Sequence, residues 1–192
     1  ESSGKKKGYL FVCRSSQGEH YSQKSGRKEC RENYGGSQKT NGSFAGERKV
    51  GMEIKYTRRP EETYEIGKKL AESASPGQIY CLNGDLGVGK TVFTQGFASG
   101  LGILDPVNSP TFTILQEYDE GRMPLYHFDV YRIGDVEEMD EIGYEDCFYG
   151  DGVCLIEWAG LIEEIIPKTA IWVTIEKDPE KGMDYRKITI GS

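Results

Sequence analysis

Apolar positions along this chain alternate between helical and strand-like spacing. The stretch "TRRPEETYEIGKKLAESAS", residues 57–75, predicts a helix. Pro60 suits its first turn, Glu61 and Glu62 suit the positive N-terminal end, and Lys68 and Lys69 lie further along. "QIYCLNG" is a short apolar run closed by Gly84, the pattern of a buried strand. In "KTVFTQGFASGLG" the residues Phe93, Gly96, Phe97, Gly100 and Leu101 recur at helical spacing. "TFTILQEY" and "LYHFDVYRI" flank the turn signal "DEGRMP", which predicts two strands of an antiparallel hairpin. "DVEEMDEIG" and "YEDCFYG" read as short helices, "VCLIEW" as another buried strand, and "AGLIEEIIP" as a short helix stopped by Pro167. "AIWVTIEK" and "DYRKITI" are closing strands around "DPEKG". Strands alternating with helices, without an internal repeat, predict an α/β layered domain with a mixed, partly parallel sheet and antiparallel additions.

Charge divides the chain. Residues 1–51 carry 11 Lys and Arg against 5 Asp and Glu, a net of +6, while residues 52–192 carry 13 against 26, a net of −13. The first part is rich in Gly, Ser, Lys and Gln and poor in aliphatic residues, so it buries too little apolar surface to offset chain entropy. Its apolar run, Tyr9 to Cys13, is too short for a signal-peptide core or a membrane span. The chain does not begin with Met, and Met52 opens the first domain-like patterning. Residues 1–51 are therefore expected to be a basic, disordered leader or a non-native extension, with a basic arm for RNA as the alternative. The domain proper is expected at 52–192.

Five cysteines show no CxxC pair, and Cys81 and Cys154 sit inside strand-like apolar runs, where a thiol acts as a small hydrophobe. Two histidines, His20 and His127, do not make a zinc site with such cysteines. A reducing cytoplasm fits this usage.

The stretch "GDLGVGKT", residues 84–91, matches G-x-x-x-x-G-K-[ST]. Its glycines let the backbone curl so that successive N–H groups converge on phosphate oxygens, and the helix that follows adds its positive end. Lys90 then reaches the β- and γ-phosphates, and Thr91 offers a hydroxyl to Mg²⁺. Such a loop needs an acidic partner at the end of a neighbouring strand. Glu157, after four apolar residues, and Asp129, at the end of "LYHFD", are both placed for it, and a solvated strand end is the alternative for each. "NSPTF", residues 108–112, offers hydroxyls at Ser109 and Thr111, either for a switch-like loop or for an ordinary Ser-Pro turn. From pattern alone Trp158 reads as core, and His127 as a hydrogen-bonded structural histidine.

In order and at matching spacing, "GDLGVGKTVFTQGFASGLG", "VNSPTFTILQEY", "LYHFDVYRI" and "VCLIEW" resemble the TsaE (YjeE) family, over about residues 54–190. Those proteins are small bacterial P-loop ATPases required for the threonylcarbamoyladenosine modification of tRNA. The resemblance implies a P-loop NTPase-like three-layer domain that binds ATP or ADP with Mg²⁺. It implies nucleotide contacts over Gly84, Asp85, Leu86, Gly87, Val88, Gly89, Lys90, Thr91 and Val92. Glu157 would be the Walker-B-like acid, Asp129 a second acid placing the attacking water or a metal-bound water, and Thr111 a switch-loop residue. Trp158 belongs to the family's "EW" signature, while Thr63 and Arg186 match regions bordering the adenine. Ala159 departs from the proline that commonly follows the tryptophan. The implied partners are TsaD and TsaB, with tRNA reached indirectly through that pair and no membrane involved. A −13 domain fits that arrangement, because RNA phosphates repel it. Two other classes remain open on the residues alone: a small-molecule kinase, and a nucleotide-gated binding module with negligible turnover.

Overall fold

The computed structural model describes residues 11–15, 18–22 and 51–192. Among the described residues there are nine strands: β1 (Phe11–Ser15), β2 (Gly18–Ser22), β3 (Glu53–Thr57), β4 (Ile79–Asn83), β5 (Leu115–Tyr118), β6 (Leu125–Asp129), β7 (Val153–Glu157), β8 (Ile171–Lys177) and β9 (Arg186–Gly191). They form one sheet in the order β2-β1-β5-β6-β7-β4-β8-β9-β3. Its centre is parallel: β6 with β7, β7 with β4, and β4 with β8. The expected hairpin is present as antiparallel β5 and β6, and the closing strands as antiparallel β8 and β9, with β3 antiparallel beyond β9. Most of the 1–51 segment lies outside the described residues. Within it, β1 and β2 form an antiparallel pair, and β1 continues the sheet parallel to β5.

Strands of this parallel centre read as unbroken apolar runs because both faces are covered. On one face Leu82, Leu155 and Val173 pack with Phe93 and Phe97. These phenylalanines belong to α2 (Lys90–Gly100), which lies beside α1 (Pro60–Glu72). On the other face Cys81, Phe128 and Ile156 pack with Met139 of α3 (Glu137–Ile142), Phe148 of α4 (Tyr144–Phe148) and Ile162. The three layers anticipated from the sequence are thus helix, sheet and helix. "AGLIEEIIP" forms a 3-10 helix, Ala159–Ile165, rather than an α-helix, with non-helical dihedrals at Ile162. Burial pushes the Cys81 thiol up to about 12, consistent with a buried hydrophobe, and Cys30 lies outside the described residues.

Helix α1 starts at Pro60, and the backbone N–H of Arg58 donates to Glu62 Oε2 at 2.7 Å, so the acidic first turn ties down the entering chain. Glycine sets how closely α1 and α2 pack. A Cβ on Gly96 would lie 2.0 Å from the Tyr64 carbonyl oxygen, and one on Gly67 would lie 2.3 Å from that of Phe93. Backbone meets backbone here, so no side chain can rotate away. Gly96→Ala is expected to push the helices apart and cost about 1–3 kcal/mol in urea unfolding, despite alanine's better helix propensity. A variant as stable as the parent would show that α1 shifts freely on the sheet.

Candidate active site

The carboxyl ends of β4, β6 and β7 meet at one edge of the sheet, where ligands of open α/β folds bind. Strand β4 delivers the chain into residues 84–89, and α2 begins at Lys90. Gly84, Gly87 and Gly89 take positive φ values of 146°, 70° and 105°. At Gly84 glycine is obligatory on steric grounds as well, since a Cβ there would sit 2.5 Å from the carbonyl oxygen of Ile175. Asp85 and Leu86 are exposed at the loop tip, Val88 is buried beneath it, and Thr91 is exposed on the first turn of α2. Val92 follows, half-buried. The loop is therefore a backbone cradle facing outward at a helix N-terminus.

Lys90 is folded back over this cradle. Its Nζ donates to the carbonyls of Gly84 at 2.8 Å and Asp85 at 3.0 Å, and lies 3.9 Å from the centre of the Trp158 ring. Burial lowers the pKa of the ammonium below its ordinary value, while Glu157, Asp129 and Asp85 pull it back up. Trp158 lies tilted against Tyr131, with ring centres 4.9 Å apart. It is half-buried, not a closed core residue as its pattern alone implied.

Asp129 and Glu157 are register partners on β6 and β7, and Glu157 also pairs with Leu82 at the end of β4. Both carboxylates are buried. Asp129 accepts three hydrogen bonds: Ser109 Oγ donates to Oδ2 at 2.5 Å, Thr111 Oγ1 donates to the same oxygen at 2.7 Å, and the Tyr131 N–H donates to Oδ1 at 3.1 Å. Loop 108–113 is thereby fastened to the end of β6. Glu157 has a different partner, His127 Nε2, at 3.0 Å from Oε1. Two non-glycine residues adopt left-handed backbone at this edge, Ile114 at φ 67° and Trp158 at φ 62°. Ile114 accepts the Asp129 N–H and Trp158 follows Glu157, so backbone strain of roughly 1–3 kcal/mol each borders both acids.

Thr63 and Arg186 come together on the other flank of the loop. Thr63 Oγ1 is 3.0 Å from Thr57 Oγ1, and Thr57 is the strand partner of Arg186. Arg186 Nε donates to the Val88 carbonyl at 2.6 Å, while Nη1 donates to those of Met183 at 2.7 Å and Tyr185 at 2.8 Å. Arg186 therefore braces the phosphate loop from behind. Every sequence-predicted site residue lies around this edge, and Ser109, His127 and Thr57 join them. Ser109 and His127 stand inside the motifs that carry Thr111 and Asp129, whereas nothing in the sequence marks Thr57.

Among the described residues no three or more His, Cys, Asp and Glu side chains cluster to hold a metal on their own. Mg²⁺ bound with a nucleotide needs less than that, because phosphate oxygens and water fill most positions. Thr91 and Glu157 suit that demand: one is exposed on the first turn of the helix, and the other has one carboxylate oxygen already fixed.

A glycine cradle between a parallel strand and a helix, with acids ending the two strands beside it, defines a P-loop nucleotide-binding protein. A sequence profile described as "Threonylcarbamoyl adenosine biosynthesis protein TsaE" matches residues 57–188, and the chain belongs to the TsaE family. The TsaE protein of Bacillus subtilis (strain 168) is 53% identical over 133 residues, covering 69% of this chain and 81% of its own length. That of Treponema pallidum (strain Nichols) is 39% identical over 119 residues, covering 62% and 87%. The crystal structure of Bacillus subtilis YdiB superposes with a TM-score of 0.64 at 45% identity, covering 73% of this chain and 85% of that one. No helix among the described residues is long and apolar enough to cross a membrane.

Proposed function

We propose that this chain is a cytoplasmic Mg²⁺-dependent ATPase subunit in the threonylcarbamoyladenosine modification of tRNA, acting with TsaD and TsaB. One observation carries the reading: Asp129 and Glu157 are brought side by side next to a P-loop by strand register. Residues 52–192 hold every part of this site, so the nucleotide function is assigned to them.

In this reading the N–H groups of residues 84–92 bind the phosphates of ATP or ADP, and Lys90 leaves the Gly84 and Asp85 carbonyls for the β- and γ-phosphates. Thr91 and Glu157 hold Mg²⁺, which when bound offsets charge on the transferring phosphoryl group. Glu157 suits this better than Asp129, whose two oxygens already accept three hydrogen bonds. Asp129 is the second acid, orienting the attacking water and governing Thr111 in the switch-like loop. The water oxygen bonds to the γ-phosphorus, the bond from that phosphorus to the β–γ bridging oxygen breaks, the water's protons pass to the phosphate and to solvent, and ADP and phosphate leave. Thr63 and Arg186 flank the adenine side, with Arg186 acting by fixing the loop, and Trp158 covers Lys90.

Arg122 does not serve as a catalytic cation, because its Nη2 is spent on the Ala71 and Ala74 carbonyls at the far end of α1. Arg132 lies over the Phe112 ring, 4.6 Å from its centre, and neither arginine is marked as a finger, so hydrolysis by the chain alone is expected to be slow. The acidic domain leaves tRNA to be held by its partners. The test is release of labelled phosphate from ATP with and without TsaD–TsaB and tRNA, and the expected result is stimulation by the partners. Equal rates would remove the coupling. A labelled small molecule would indicate a kinase, and bound but unchanged ATP would indicate a binding module.

A further inference from the structure

We infer that His127 is a positioning residue for Glu157, fixing Oε1 so that Oε2 is presented to the metal side of the phosphate loop. This inference rests on the metal-site reading above. His127 is fully buried on β6, opposite Leu155 of β7 and two residues from the buried Leu125. Its Nε2 is 3.0 Å from Glu157 Oε1, while its Nδ1 is buried without a hydrogen-bond partner. A carboxylate can only accept, so Nε2 donates, and Nδ1 is left without a partner. An unmatched buried polar atom costs stability, and a strand face lined by leucines would pack better around carbon. What the imidazole supplies is a directional N–H on one oxygen of Glu157.

The backbone of Glu157 is tied to both neighbouring segments. Its carbonyl accepts the Val130 N–H at 3.2 Å, and the next N–H, that of Trp158, donates to Leu82 at 3.0 Å. With the main chain and one oxygen fixed, the second oxygen has a single orientation. Partners that orient a ligating carboxylate typically change metal affinity by about 10–100-fold when removed. A histidine kept only for packing would have no such effect.

The test uses the full chain, a fluorescent non-hydrolysable ATP analogue titrated with and without Mg²⁺, and thermal melting. His127→Leu leaves the buried Glu157 carboxylate without its N–H donor, so it is expected to melt below the parent while binding the analogue equally well without Mg²⁺. It is expected to lose about tenfold or more of the affinity gained on adding Mg²⁺. His127→Gln, whose amide N–H can occupy the Nε2 position, is expected to recover most of that gain. A full Mg²⁺ response in His127→Leu would overturn the inference alone. So would equal losses with and without Mg²⁺, or a glutamine variant no better than leucine. A parent chain indifferent to Mg²⁺ would overturn the metal-site reading, and this inference with it.

Discussion

Lys90→Ala is expected to abolish phosphate release and to weaken ATP binding by roughly 30–150-fold, about 2–3 kcal/mol for a charged contact to phosphate. Lys90 does two jobs in this structure. At rest it closes the cradle, with Nζ on the Gly84 and Asp85 carbonyls and under the Trp158 ring. On binding, those contacts are exchanged for phosphate oxygens, so the measured affinity is already net of breaking them. Alanine removes the phosphate contact and leaves both carbonyls without their donor, which loosens the loop as well. Both effects act in the same direction. Lys90→Arg separates them: it keeps the charge but replaces a compact ammonium with a planar fork that the tight loop does not fit. It is expected to retain part of the binding without the turnover. Titration of ATP with parallel phosphate assays checks both variants. Parent-level turnover in Lys90→Ala would sink the P-loop assignment.

Local patterns in the sequence carried the phosphate loop and the strands around it. The run before Gly84, the run before Glu157 and the turn between "TFTILQEY" and "LYHFDVYRI" are each short-range signals, and each forms the element expected. Features that depend on register or on backbone approach were not legible. Strand β3 has exposed or half-buried residues at four of its five positions, so no apolar run announced it. β5 begins at Leu115, later than the run from Thr111 implied, because Ile114 turns left-handed while Ser109 and Thr111 are drawn to Asp129. Gly67 and Gly96 carry no mark in the sequence that they are points where α1 and α2 touch. His127 and Glu157 are 30 residues apart, and only the pairing of β6 with β7 makes them neighbours. The strands at Phe11–Ser15 and Gly18–Ser22 join the sheet through backbone pairing, which composition does not encode.

Glu157→Gln is expected to keep the fold and to lower Mg²⁺-dependent hydrolysis by about 10²–10³-fold, roughly 3–4 kcal/mol of transition-state stabilisation. The amide matches the carboxylate in shape and is neutral, so burying it costs no more, and the melting temperature is expected to hold or rise. His127 Nε2 can donate to the amide oxygen or, as the other tautomer, accept from its NH₂. In either orientation the site loses a negative charge. Lys90 also loses one of the charges that raise its pKa against burial. Asp129→Asn makes the contrast. An asparagine oxygen can still accept from Ser109 and Thr111, but the Tyr131 N–H then faces an NH₂ group. That variant is expected to keep its Mg²⁺ response in nucleotide binding while losing turnover, because a neutral side chain no longer offers the attacking water a charged acceptor. The measurement is the same for both: affinity for an ATP analogue with and without Mg²⁺, then phosphate release. If both variants hydrolyse ATP at the parent rate, neither acid serves the reaction, and the two-carboxylate reading of this edge of the sheet fails.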